Sequence, residues 1–161
     1  MPLVWNHEPE GYECPMCRIQ QGLENERNRT ADVVAVTPLA FARISPRWWP
    51  DNPGAALVVP RAHHENLYDL PAEVGHAVAD LVQQVAVAMR SAYDCRGVST
   101  RQHNEPAGGQ DVWHLHVHVF ARHEDDRLYE RHRENRWASP EERAPYAARL
   151  AAALALPRTF D

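Results

Sequence analysis

Between residues 71 and 93, apolar side chains recur every three or four positions, at Val74, Val78, Leu81, Val85 and Met89. That spacing places them on one stripe of a helix predicted from about Pro71 to Tyr93, with Gly97 ending the region. Elsewhere the apolar runs are short. Asp32 to Val36 and Leu39 to Ile44 read as consecutive strands around a turn at Thr37-Pro38, and Ala55 to Val59 as a third strand stopped by Pro60. A Pro-rich loop, Ser45 to Gly54, separates the second and third strands. Val98 to Asn104 and Val112 to Ala121 are two further predicted strands around a turn at Pro106 to Gly109. The segment from Leu23 to Thr30 is polar and reads as a solvated connector. From Pro140 onward the chain is rich in Ala and Leu and predicted helical. Ser139-Pro140-Glu141-Glu142 has the pattern of a capping box, although Pro145, which has no N–H, offers a second place for the main helix to begin. The order β-β-β-α-β-β-α with short connections favours antiparallel pairing and one long helix over the sheet, an α+β fold.

At 161 residues the chain has the length of one domain, expected to span 1–161. A domain of this size needs no disulfide staples. No apolar run approaches the roughly 20 residues that cross a bilayer. The first residues lack a basic region followed by an apolar stretch, so no secretory signal is read and a cytoplasmic location is expected. The net charge of −5 argues against broad nucleic-acid binding, so any phosphate site must be local. Cys14 and Cys17 form a C-x-x-C pair that reads as half a metal site or a redox pair.

Ten histidines are many for this length, and three occupy alternate positions in Trp113-His114-Leu115-His116-Val117-His118-Val119-Phe120. On a strand, His114, His116 and His118 share one face while Leu115, Val117 and Val119 pack on the other. Successive imidazoles stand roughly 6.5 Å apart at the backbone, so divided roles suit them better than three ligands on one ion. A neutral imidazole at cellular pH is a competent nucleophile toward phosphorus, and a protonated neighbour can donate to the leaving oxygen.

His114-Leu115-His116-Val117-His118-Val119-Phe120 resembles the signature of the histidine-triad (HIT) superfamily, His-φ-His-φ-His-φ-φ with φ apolar. Asn104 to Gln110 is similar to the family's Asn- and Gly-rich approach ending in Gly-Gln. Leu57-Val58-Val59-Pro60-Arg61-Ala62-His63 is similar to its apolar strand followed by Pro, a basic residue and His. Cys14-Pro15-Met16-Cys17-Arg18-Ile19 resembles the N-terminal element of the zinc-bearing members, and Phe41 to Pro46 the strand that faces the nucleoside. The resemblance covers a core of about residues 14–122, leaving about 123–161 as a C-terminal helical extension.

The resemblance implies an α+β domain that pairs into a homodimer with a continuous antiparallel sheet. It implies a nucleotide hydrolase acting on the α-phosphate of a dinucleoside polyphosphate or nucleoside phosphoramidate through a nucleotidyl-histidine intermediate. His116 would be the nucleophile, His118 a phosphate binder or leaving-group assistant, and Gln110 and Asn104 hydrogen-bond donors to the phosphate. The approach is one residue short here, so His103 is an alternative to Asn104. Met16, Ile19, Phe41 and Ile44 would form the slot for the base. Arg43 stands where the family often carries an Asp that holds the ribose; Arg cannot accept those hydrogen bonds, which turns the expectation toward an extra phosphate. Trp48 and Trp49 lie close to that end of the chain and would either stack a base or pack. Cys14, Cys17, His63 and His114 would bind a structural zinc, with His64 a rival for His63. Three alternatives stay open: a nucleotidyltransferase or phosphorylase with the same intermediate, a non-enzymatic zinc- and nucleotide-binding module, and a metallohydrolase using His114 and His116 as a metal pair.

Overall fold

The computed structural model describes residues 5–161. Five strands form an antiparallel sheet in the order β1-β2-β4-β6-β5: β1 is Val33–Val36, β2 Ala40–Ile44, β4 Ala56–Pro60, β5 Gly97–Gln102 and β6 Val117–Arg122. A two-stranded ribbon pairs β3 (Arg47–Trp48) with β7 (Arg136–Trp137). The helices are α1 (Pro15–Gln20), α2 (Ala72–Ala92) and α3 (Pro140–Leu154). The α+β architecture, the antiparallel pairing and the long helix over the sheet all match the sequence reading. Among the described residues, no helix is long and apolar enough to cross a membrane.

Strand alternation divides the molecule into two faces. Ala40, Ala42 and Ile44 of β2, Ala56 and Val58 of β4, and Val119 and Ala121 of β6 pack beneath α2, whose Val78, Leu81, Val85 and Met89 are buried against them. Phe41, Leu57 and Val59 point the other way and meet Met16 and Ile19 of α1. The functional residues gather on this second face.

One boundary differs from expectation, one choice left open is decided, and one element is new. The strand predicted over Val112 to Ala121 begins only at Val117. Its partner β4 ends at Pro60, which has no N–H to continue the ladder, and the last β4–β6 pair is Val58 with Val117. Leu115 instead donates its N–H to His64 O at 2.7 Å. The three histidines therefore do not share one regular strand face. The C-terminal helix starts at Pro140, not Pro145, because the capping box forms: Ser139 Oγ accepts from the Glu142 N–H, and the Glu142 carboxylate accepts from the Ser139 N–H. The ribbon is absent from the sequence reading altogether.

Two buried arginines fasten the far end. Asp32 lies between the fully buried guanidinium groups of Arg43 (β2) and Arg143 (α3), at 3.1 and 2.8 Å. The arginines also donate to the carbonyls of Arg27, Ile44, Glu26 and Ala138. Removing the shared carboxylate would strand two charges, a loss of about 3–5 kcal/mol. At the sheet's β1 edge, the C-terminal tail caps the strand: Val36 donates to Pro157 O at 2.6 Å, and Arg158 donates to Val33 O and Ala31 O.

Candidate active site

His114 and His116 take opposite orientations from opposite hydrogen bonds. His114 is fully buried and its Nε2 lies 2.8 Å from Pro60 O. A carbonyl only accepts, so Nε2 carries the proton and Nδ1 presents a lone pair. That nitrogen is 3.3 Å from Cys14 Sγ, 3.8 Å from Cys17 Sγ and 3.1 Å from His63 Nδ1. His63 is set the same way: its Nε2 is 2.6 Å from the Glu8 carboxylate, which leaves its Nδ1 facing the cluster.

Two imidazole lone pairs facing each other at 3.1 Å repel unless a cation lies between them. Burial pushes His114 down to about 4, so it is neutral, as a metal ligand must be. The four donor atoms lie within 4.8 Å of one another, and tetrahedral zinc bonds of about 2.0–2.3 Å give ligand separations that fit this span. Two thiols and two imidazoles form the set that zinc prefers, with no position open for substrate. Burial raises the Cys14 thiol to about 12 in the absence of such an ion. Among the described residues this cluster holds His63 and neither His64 nor His116. The His114–His116 metal pair of the metallohydrolase reading is therefore not formed.

His116 donates through Nδ1 to His114 O at 2.8 Å, which leaves Nε2 as the lone-pair nitrogen. Its side chain, 9% exposed, lines a cleft of about 500 Å³ on the sheet face opposite α2. Desolvation lowers its proton affinity, which keeps the ring neutral. His118 lines the same cleft, stacked on Phe120 with ring planes 4° apart and edge-on to Trp49. Burial, with His116 and Arg101 nearby, holds His118 well below the usual range. Its buried Nδ1 has no hydrogen-bond partner among the described residues.

The remaining expected residues divide. Met16 and Gln110 line the cleft. Gln110, though, is bonded to main chain throughout: its Oε1 accepts from the Glu105 N–H and its Nε2 donates to Glu65 O and Val112 O. It shapes the turn ahead of the histidines. Asn104 does not line the cleft; its Oδ1 accepts from the Leu67 N–H and its amide exchanges hydrogen bonds with Gln102. His103 takes the place beside the histidines, with Nδ1 donating to Gly109 O at 3.1 Å and its ring 6.4 Å from that of His118.

The expected base slot is corrected at three positions. Ile44 belongs to the α2 face, because an even-numbered β2 residue points away from Phe41 and Arg43. Ile19 and Phe41 are fully buried in the α1 cluster, with Phe41 edge-on to Phe160. Arg43 borders the cleft, but four donor contacts to Asp32, Asn28, Arg27 O and Ile44 O fix it structurally, so it offers no phosphate site. Trp48 packs in the main core, whereas Trp49 forms a cleft wall.

Several cleft residues lay outside the sequence reading. Arg101 pairs directly opposite His118 across β5 and β6. It had a legible signal: Arg101 and His103 stand two residues apart in the stretch predicted as a strand, the same spacing as His116 and His118. His132, Asn135 and Trp137 come from the C-terminal extension, brought in by the β3–β7 ribbon, and no local pattern announces them.

A five-stranded antiparallel sheet with a paired-histidine cleft beside a closed Cys₂His₂ cluster defines a class of small α+β proteins built around alternate histidines. Residues 26–125 match the model of the HIT domain, and the chain belongs to that family. It is 33% identical over 70 residues to protein hit of Bacillus subtilis, covering 44% of this chain and 48% of that protein. It is 29% identical over 80 residues to an adenylylsulfatase of Arabidopsis thaliana, covering 50% and 41%. The chain thus spans about half the length of these curated relatives. Among solved structures, a zinc-bound histidine triad family protein from Mycobacterium smegmatis superposes with a TM-score of 0.72 at 25% identity, covering 89% of this chain and 94% of that one.

Proposed function

We propose that this protein is a nucleotide hydrolase that cleaves at the α-phosphate of a nucleotidyl substrate through a nucleotidyl-histidine intermediate on His116. The carrying observation is the hydrogen bond from His116 Nδ1 to His114 O, which fixes the tautomer and leaves Nε2 unprotonated at the cleft. Nε2 attacks the α-phosphorus, and the P–N bond forms as the bond to the leaving oxygen or nitrogen breaks. The nucleotidyl group then passes to water, which restores the free imidazole. His118, whose buried Nδ1 has no partner among the described residues, and Arg101, directly opposite it, would bind phosphate oxygens. The substrate class is a dinucleoside polyphosphate or a nucleoside phosphoramidate. The adenylylsulfatase among its relatives supports adenylyl chemistry.

Cys14, Cys17, His63 and His114 would hold one structural zinc, a cross-link between the N-terminal segment and the chain just ahead of His116. The Glu8 carboxylate and Pro60 O fix the two imidazoles from behind. A second copy is expected to pair at the β5 edge, since the tail already covers β1; sedimentation would report the dimer.

The test is intact mass after brief mixing with diadenosine tetraphosphate or an adenosine phosphoramidate. A nucleotidyl adduct that disappears in His116→Ala is expected. Turnover of neither substrate, with nucleotide binding equal in both proteins, would point to the non-enzymatic module. Adding orthophosphate or a sugar phosphate and finding a new nucleotide would point to the transferase.

A further inference from the structure

The cleft carries a local excess of positive charge in an acidic chain. Arg27, Arg47 and Arg101 line it against Glu13 and Asp111, while the whole chain carries −5. Arg43 is left out of this set, since it is buried and its donors are taken by Asp32, Asn28 and main-chain carbonyls. Arg101 has a buried Nε without a hydrogen-bond partner among the described residues. The Arg27 guanidinium lies 3.8 Å from the centre of the Trp137 ring and forms no ion pair among the described residues. Arg47 lies 4.6 Å from the same ring and meets only the exposed carboxylate of Asp111, at 3.0 Å. A guanidinium stacked on an aromatic face is held in place while its in-plane N–H donors stay available for oxyanions.

Trp137 reaches this position through the C-terminal extension, most of which lies beyond the matched residues 26–125. Several anchors fix the extension across the cleft mouth. Trp137 pairs with Arg47 in the ribbon, and Ala138 donates to Pro46 O. Trp49 Nε1 donates to His132 O at 3.0 Å. Asp126 gathers Arg122, Asn52 and the His123 and Leu128 N–H groups on one carboxylate.

We infer that the extension completes a second subsite, in which Arg27 and Arg47, positioned by Trp137, bind a phosphate-bearing group beyond the scissile bond. This rests on the hydrolase reading above and narrows its substrate class to one whose leaving group is a polyanion in preference to an amine. Arg101, opposite His118 across β5 and β6, lines the same cleft and would meet the phosphates nearest the reacting atom.

The test compares diadenosine tetraphosphate with an adenosine phosphoramidate, which share the transferred group and differ in what leaves. In Arg27→Gln/Arg47→Gln, and separately in Trp137→Ala, kcat/KM for the tetraphosphate is expected to fall at least about tenfold further than for the phosphoramidate. Both arginines are solvent-facing, and an unchanged melting temperature confirms the fold of the double variant. Equal losses on the two substrates, or none, overturn the subsite. A second arm needs no turnover: inorganic tripolyphosphate titrated into the wild-type protein should bind about tenfold more tightly than into the double variant. If neither substrate reacts but tripolyphosphate binding depends on these arginines, the subsite stands and the hydrolase reading fails. If both substrates react and the arginines do not discriminate in either arm, the hydrolase reading stands and the subsite falls.

Discussion

His114 and His116 stand two residues apart, and each gives one ring N–H to a main-chain carbonyl, yet they belong to different chemical worlds. His114 gives Nε2–H to Pro60 O and turns Nδ1 into a closed cluster of two thiols and a second imidazole. His116 gives Nδ1–H to His114 O and leaves Nε2 to an open cleft. Residue type does not separate structural from reactive histidine here. The carbonyl each ring meets decides which nitrogen is free, and the ladder's end at Pro60 decides where that nitrogen points.

The contrast can be broken from either side. His116→Ala should lower turnover at least about 10³-fold while leaving bound zinc and melting temperature near wild type, because it removes the proposed nucleophile and not a member of the Cys₂His₂ cluster. Steady-state kinetics beside metal analysis would check this, and a large loss of zinc would merge the two regions. Cys14→Ser should do the reverse: zinc falls from about one equivalent per chain and the melting temperature drops by about 10 °C, some 3–4 kcal/mol for a chain of this size. Chelator should reproduce the drop in the wild-type protein and have no further effect on the variant.

A finer probe is Glu8→Gln, which keeps the shape of the His63 partner and removes its charge. Zinc affinity should weaken about tenfold, read by competition with a chromogenic chelator, with kcat little changed. The smallest effect concerns pH. The Asp126 carboxyl, held below the usual carboxylate range mainly by Arg122, contributes stability that is present above its unfolded value and lost as pH falls below about 4. Asp126→Asn should flatten that acid limb in a series of melts run with chelator present, so that acid release of zinc does not add to it.

Much of this was legible in the chain. The 3.6-residue stripe of α2, the short strands and the α+β class follow from periodicity, and the cluster residues from cysteine and histidine spacing with the family resemblance. Local pattern failed where long-range pairing decided. Ile44 looked like a nucleoside contact because it is apolar and next to Arg43, but alternation sends it beneath α2. Arg43 looked like a ligand residue because nothing nearby in sequence reveals Asp32 and Arg143 as its partners. Trp137 reaches the cleft through a ribbon of two residues per strand, too short to leave a periodic trace.

The capped edge at β1 has a consequence for assembly. Open strand edges invite further chains, and a sheet open at both ends can lengthen without limit into a fibre. Pro157 offers a carbonyl but no N–H of its own, and Arg158 occupies two outward carbonyls with a charged group. Pro157 and Arg158 thereby block growth on that flank. That leaves β5 as the open edge of the sheet, where a two-fold contact would use up both free edges and end it.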